Sequence, residues 1–439
     1  MNRQTAKRII VYVTGLTVLT LGFTDNVWNV SDSHTFEHFA AQTESFIVGR
    51  LARSEQDGPF SDGGLTGRET DVPEGKNAFT YQYEIYYNDI PIKRYLPYES
   101  NSAIQGVVLS VLDRFLGFPP ATRLKIYRLI AAIVSACVLS SFLLWVLDVF
   151  GLVSALLSLL LMALSPWLTI AGGHLYWIFG TIYLPFLVPL VLLHREYWGR
   201  RLSTRTWFIG VALAIFLKCL ITGYEFISAT LVMMTMPVFF YALWHRWSPR
   251  LFVQRLVTAS LSGLVGTIAC ALVLTTQIAK VEGSMQKGWE HIEERLLLRT
   301  YPPGEVSGQQ TIPQRISDTN DVPLTTVIET YLQADALSAP MGNGHYSLSF
   351  GILLLGFAGI SAVVFVTSRN PALIALATTT WISIMAPLSW FIIFKSHSVL
   401  HPFLDPLVWY MPMFLMMFTF VSSLKQWSNE SIPQSRELC

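Results

Sequence analysis

The sequence predicts an all-α polytopic membrane protein with about ten transmembrane helices, outer amphipathic helices and a small outer β element. Three observations carry this. The 439 residues are 52% hydrophobic but only 13% charged, about half the charged share of an ordinary soluble domain. Long apolar runs recur along the chain, each near the length a bilayer core requires. Arginine and lysine collect on alternate sides of those runs, as the positive-inside rule demands.

The runs lie at 9–23, 124–147, 152–171, 175–193, 207–221, 226–244, 256–279, 347–367, 372–394 and 407–424. The first follows a basic Met1 to Arg8 without a small-residue cleavage site, and reads as a retained span with a cytoplasmic N-terminus. That choice puts Arg195, Arg200, Arg201, Arg205, Arg246, Arg250, Arg255, Arg369 and Lys425 on the inner side. It leaves outer segments at 24–123, 280–346 and 395–406, a transmembrane body at 124–279, three spans within 347–424 and a cytoplasmic tail at 425–439. The expected location is therefore a multi-pass plasma or inner membrane. A net charge of +1 gives no electrostatic case for nucleic acid. Cys137, Cys219 and Cys270 lie within apolar runs and Cys439 at the terminus, so no disulfide framework is implied.

In the first outer segment, Asp32 is placed to cap a helix from Ser33, along which Phe36, Ala40, Thr43, Ile47 and Leu51 share one side. Glu44 falls among them. A carboxylate with apolar neighbours loses hydration and becomes the kind of proton acceptor a general base must be near neutral pH. The bland alternative is a solvated Glu44, or one paired with Arg50. After a glycine-rich turn region at 57–67, Phe79, Tyr81, Tyr83, Ile85 and Tyr87 alternate as in a strand, with an aromatic face suited to stacking on sugars or to interfacial anchoring. Ile104, Val107, Val108, Val111, Leu112 and Phe115 mark a second amphipathic helix lying on the bilayer. Arg123, Lys125 and Arg128 form an outer basic cluster fit for an anionic headgroup or for simple snorkelling.

Lys218, Tyr224 and Glu225 stand at the turn between the fifth and sixth runs, where a structural Lys218 to Glu225 pair is expected. The second outer segment opens with a helix at 285–298, followed by Pro302, Pro303, Gly304 and a polar stretch to Asp321. The last outer turn concentrates Lys395, His397, His401 and Asp405. An ammonium and two imidazoles there suit a phosphate. His34, Glu37 and His38 match the H-x-x-E-H spelling of a zinc peptidase class, but no further ligand is arguable, and no metal site is assigned.

The N-terminal span, the long outer segment opening with acidic residues, and the stretches HLYWIFGTIYLPF at 174–186, KCLITGYEF at 218–226 and FKSHSVLH at 394–401 together resemble the GT-C superfamily of membrane glycosyltransferases, in an uncharacterised bacterial branch. The likeness covers nearly the whole chain with loose motifs. It implies transfer of a sugar from a polyprenyl phosphate or diphosphate carrier to a glycan, lipid or protein acceptor, with inversion, on the outer or periplasmic face. It implies an acidic base in the first outer segment. The usual Asp-Glu pair after the first span is absent, since Asn26 follows Asp25 and Ser33 follows Asp32, so the base stays open among Glu44, Asp32 and Asp25. Lys395, His397, His401 and Arg128 are then the expected donor-phosphate ligands, with Lys218, Glu225 and Tyr224 in support. No cofactor is assigned, and assistance by a divalent cation is left open. The competing classes are a flippase or exporter of lipid-linked glycan and a glycan polymerase or ligase.

Overall fold

A computed structural model describes residues 2–300, 322–341, 344–402 and 404–426. Seven of its helical segments are long and apolar enough to cross a membrane: Arg3–Asp25, Pro120–Ala163, Thr204–Thr222, Ile227–His245, Pro249–Glu282, Phe350–Thr367 and Pro371–Ile393. Their outward faces carry large exposed apolar side chains, among them Ile10, Ile133, Leu213, Leu264, Leu272 and Val366. Exposure on this scale is what a lipid solvent permits and water does not.

In chain order the elements are α1 (Arg3–Asp25), α2 (Ser33–Asp57), β1 (Gly67–Glu69), α3 (Ala78–Tyr87), β2 (Tyr95–Pro97), α4 (Ile104–Asp113), α5 (Pro120–Ala163), α6 (Pro166–Gly172) and α7 (Leu184–Tyr197). Then follow α8 (Thr204–Thr222), α9 (Ile227–Met233), α10 (Met236–His245), α11 (Pro249–Glu282), α12 (Met285–Thr300), α13 (Leu324–Gln333), β3 (Asp335–Met341) and β4 (Gly344–Ser349). The last are α14 (Phe350–Thr367), α15 (Pro371–Ile382), α16 (Met385–Ile393), α17 (Lys395–Leu400) and α18 (Met413–Ser422). Helix α1 lies along α5, α8 along α11, and α18 against α5 and α15. Gly15 lets α1 approach α5, since a Cβ there would meet Ser140 Oγ at 2.8 Å.

Three of the ten apolar runs form shorter helices, and local chemistry explains each. Helix α5 breaks at Gly151 (φ 83°), and its second half stops at Leu164, where Ser165 caps α6 and Pro166 starts it. The run at 175–193 begins as a 3₁₀ turn, Phe179–Tyr183, before α7. In the run at 407–424, α18 starts only after the 3₁₀ turn Asp405–Tyr410 and Pro412.

A small β element is present but elsewhere in the chain. Segment 78–87 is helical: Asn77 caps it by accepting from the Phe79 and Thr80 amides, and Tyr81, Gln82, Ile85 and Tyr86 are the buried residues. That spacing is helical, and the alternation of aromatic residues was coincidental to it. The strands are β1 and β2, which pair antiparallel and flank α3 in sequence, and the β3–β4 hairpin. Helix α4 turns polar Gln105, Ser110 and Asp113 into the protein and leaves Val108 and Leu112 exposed, an orientation suited to an apolar surround.

Arg50 is the organiser of the segment between α1 and α5. It is fully buried, and its five donors are all used: Nε on Ser54 Oγ, and the two terminal nitrogens on the carbonyls of Gly58, Ser61 and Leu65 and on Ser61 Oγ. The turn so fixed docks on α11, where Gly63 (φ 67°) comes so near the Gln277 carbonyl that a Cβ would lie 2.3 Å from it. The alternative pairing of Glu44 with Arg50 is therefore not formed. A second buried knot joins α3, α4 and α5: Asp113 accepts from Tyr86, Tyr127 and Arg123, and Arg123 also reaches Glu55.

Candidate functional site

Two polar cavities flank α2. The first, about 340 Å³, is lined by residues that include Thr24, Glu37, Glu44, Tyr83, Tyr87, Arg128 and His174. Glu44 is buried on the inner face of α2, where Arg128 Nε and Nη2 donate to its Oε1 at 2.9 and 2.5 Å and Tyr83 donates to the same oxygen at 3.2 Å. Oε2 receives only the long 3.5 Å contact from the Leu175 amide among the described residues. One oxygen is thus saturated, and the other has spare acceptor capacity. Burial pushes the Tyr83 hydroxyl well above its usual pKa, so it stays a donor to Glu44.

His174 joins this cavity to α2. Its Nδ1 accepts from the Tyr176 amide at 3.1 Å, so the neutral ring carries its proton on Nε2 and donates it to Thr43 Oγ1 at 2.8 Å. Burial holds its pKa down at about 4. Between pH 6.5 and 4 the unfolded chain binds this proton and the folded one does not, so the neutral ring's contribution is present above pH 6.5 and is lost as pH falls through 4. His174→Gln keeps a donor for Thr43 without titrating. The thermal midpoint of wild type is expected to fall more steeply than that of His174→Gln between pH 6.5 and 4, and parallel curves would refute the assignment.

The second cavity, about 430 Å³, has an aromatic wall of Phe46, Phe79, Tyr98, Tyr176 and Trp177, and a polar floor of Glu225, His397, His401 and Arg295. Glu225 Oε2 faces His397 Nε2 at 3.5 Å, and His397 Nδ1 faces Asp405 Oδ1 at 3.7 Å. Trp390 Nε1 holds the other Asp405 oxygen at 2.9 Å. This is a carboxylate, imidazole, carboxylate series with its open end in the cavity. His401 stacks on His397 with centroids 4.1 Å apart. Burial, then the His397 charge, lowers the His401 pKa. With its Nδ1 proton given to the His397 carbonyl at 3.0 Å, the neutral ring turns a lone pair outward. It therefore acts as an anion ligand only once protonated.

A third cavity, about 510 Å³, is an apolar groove walled by α9, α11 and α12 through Ile227, Ala271, Leu274, Trp289, Ile292 and Leu296. Its polar end is shared with the second cavity, because Arg295 and Ser100 line both.

The expected site residues separate accordingly. Glu44 and Arg128 meet in the first cavity; Glu225, His397 and His401 meet in the second; Tyr224 lines the groove. Arg128 is a partner of Glu44, set apart from the histidines with which it was grouped. Asp32 is exposed and caps α2 by accepting from the Thr35 amide, and Asp25 is exposed at the end of α1; neither lines these cavities. Lys395 is half-buried and lines none of the three. Lys218 does not reach the Glu225 carboxylate: its ammonium donates to the backbone carbonyls of Gly223, at 3.0 Å, and Glu225. The His38 side chain and the 301–321 stretch lie outside the described residues.

No family model, no curated protein and no solved structure matches the chain. The site's meaning rests on its own chemistry. Arg295, His174, Thr43 and Trp177 were not singled out as site members by the sequence, because each acquires its role from a neighbour distant in the chain, whereas Asp405 already stood out with His397 in the last outer turn. Only the charge-rich helix at 285–298 pointed toward Arg295.

Proposed function

We propose that the protein is a membrane glycosyltransferase that takes a sugar from a polyprenyl phosphate or diphosphate carrier and gives it to an acceptor hydroxyl on a glycan, lipid or protein, at the outer face of the membrane. The observation that carries this reading is the apolar groove whose polar end, at Arg295 and Ser100, opens into a cavity holding a carboxylate and two imidazoles. A long apolar tail with an anionic head and a sugar beyond it matches that order of surfaces.

In this reading the tail lies along α11 and α12, and Arg295 holds the phosphate as a fixed charge aimed at the negative charge of the departing group. Glu225, oriented by His397 with Asp405 behind it, takes the acceptor proton as the hydroxyl oxygen bonds to C1 and the C1–phosphate bond breaks. A single displacement inverts C1. The open Oε2 of Glu44 favours a second arrangement, in which Glu44 is the base in the first cavity and Arg128 holds the phosphate there. The outer position is consistent with the arginine distribution around the apolar runs.

Ala271 is half-buried on the groove wall, and Ala271→Phe fills part of it. Cells lacking the protein are expected to lose one sugar branch from an otherwise intact surface glycan. Wild type restores it, and Ala271→Phe restores it with a rate reduced by about tenfold, the effect of losing about 1.4 kcal/mol of carrier binding. Loss of the entire glycan from the surface in the deletion cells would replace this reading with export or polymerisation.

A further inference from the structure

Arg68, in β1, is a half-buried cation of the first outer segment without a side-chain acceptor among the described residues. Arg50, Arg53, Arg114 and Arg123 of the same segment each hold a carbonyl or a carboxylate. The Arg68 side chain makes no hydrogen bond or ion pair with any described residue, although it is half-buried. Its guanidinium carbon lies 4.2 Å from the centroid of the Phe46 ring and 4.9 Å from that of Phe79.

Stacking of this kind orients a guanidinium, but it satisfies none of the five N–H donors. None of the Arg68 nitrogens is among the buried unpartnered atoms, so its donors stay open to water and to an anion that displaces it. Phe46 and Phe79 are also walls of the second cavity, beside Tyr98, Tyr176 and Trp177. Neither lines the apolar groove, whereas Arg295 lines both spaces. Arg295 is thus the cation at the groove end, while Arg68, which lines neither space itself, stacks on two residues of the aromatic wall. Ring faces next to a planar, bidentate donor suit a pyranose bearing a carboxylate: the C–H face packs on the rings and the carboxylate meets the fork.

We propose that Arg68 and the Phe46, Phe79, Tyr98 wall form a subsite for an acidic saccharide, with Arg68 pairing to a carboxylate on the sugar itself. The proposal rests on the transferase reading for the saccharide's place in a reaction, and it narrows the substrate class to uronate-type sugars.

The test measures binding to the full chain in lipid nanodiscs by calorimetry, without donor lipid, using tetragalacturonate, a neutral galactotetraose and pyrophosphate as probes. Wild type is expected to bind tetragalacturonate at least about tenfold more tightly than the neutral tetrasaccharide. Arg68→Gln removes that difference, and Arg68→Lys retains part of it. Equal affinity for the acidic and neutral saccharides in wild type overturns the proposal, and this comparison stands even if a variant fails to fold. Undiminished tetragalacturonate binding by a folded Arg68→Gln also overturns it. Pyrophosphate binding as tight as that of tetragalacturonate, and equally lost in Arg68→Gln, assigns Arg68 to the carrier and overturns it too. Because no transfer is read, failure of the glycan experiment with acidic-saccharide binding intact would sink the transferase reading alone.

Discussion

Glu225→Gln is expected to lower sugar transfer by about 10² to 10⁴-fold, the usual contribution of a positioned general base, while leaving the protein folded. The backbone supports the second half of that statement. Lys218 holds the turn through the Gly223 and Glu225 carbonyls, so the turn does not depend on the Glu225 carboxylate. Glutamine keeps the volume of glutamate in a site where Glu225 is only 8% exposed. The surface glycan of complemented cells reads the activity, and the thermal midpoint of the purified protein reads the fold. Full transfer by a folded Glu225→Gln would remove Glu225 as the base.

Glu44→Gln needs a different control, because Glu44 is the counter-charge of Arg128. Breaking a buried ion pair costs about 3–5 kcal/mol, but the Arg128 side chain is 37% exposed, so screening reduces the expected loss to about 1–3 kcal/mol. Loss of activity in that single variant is therefore ambiguous. The double variant Glu44→Gln with Arg128→Gln separates the roles. If Glu44 only orders α2 against α5, the double variant regains both stability and transfer. If the pair serves transfer, with Glu44 as base and Arg128 on the phosphate, it regains stability and stays inactive.

Replacing Arg50 should give the largest stability effect in the first outer segment. Arg50→Met removes five donors at once and leaves the buried carbonyls of Ser61 and Leu65 and two hydroxyls without their partner. The expected destabilisation is about 3–5 kcal/mol, read as a lowered thermal midpoint and as new protease cutting within 58–66. Arg50→Lys, with three donors, should fall between. The consequence extends to the site, because the turn that Arg50 holds rests on α11 at Gln277, on the helix that walls the groove. An unchanged midpoint in Arg50→Met would show that the turn is held by its packing alone.

Features set by neighbours along the chain were legible before any coordinates. Seven long apolar helices formed over the apolar runs, Asp32 caps α2, and the helix opening at Met285 formed. Each depends on periodicity, capping or a residue's own backbone preference, which act over a few positions. The 78–87 segment shows where such reasoning fails: its aromatic residues fit alternation, while Asn77 and the packing of Tyr81, Ile85 and Tyr86 select a helix.

The site was decided by tertiary structure. Glu44 and Arg128 are 84 positions apart, and the carboxylate read from sequence as lying among apolar neighbours has its charge met by an arginine from another helix. Glu225 was expected against Lys218 because they are close in sequence, yet the ammonium prefers two carbonyls of its own turn and leaves the carboxylate to His397. Ion pairs and cavities follow the path of the chain through space, and no local pattern encodes which distant partner arrives. The sequence therefore determined a helical membrane protein and supplied its ionisable residues, while packing decided which of them share a cavity and which neutralise one another.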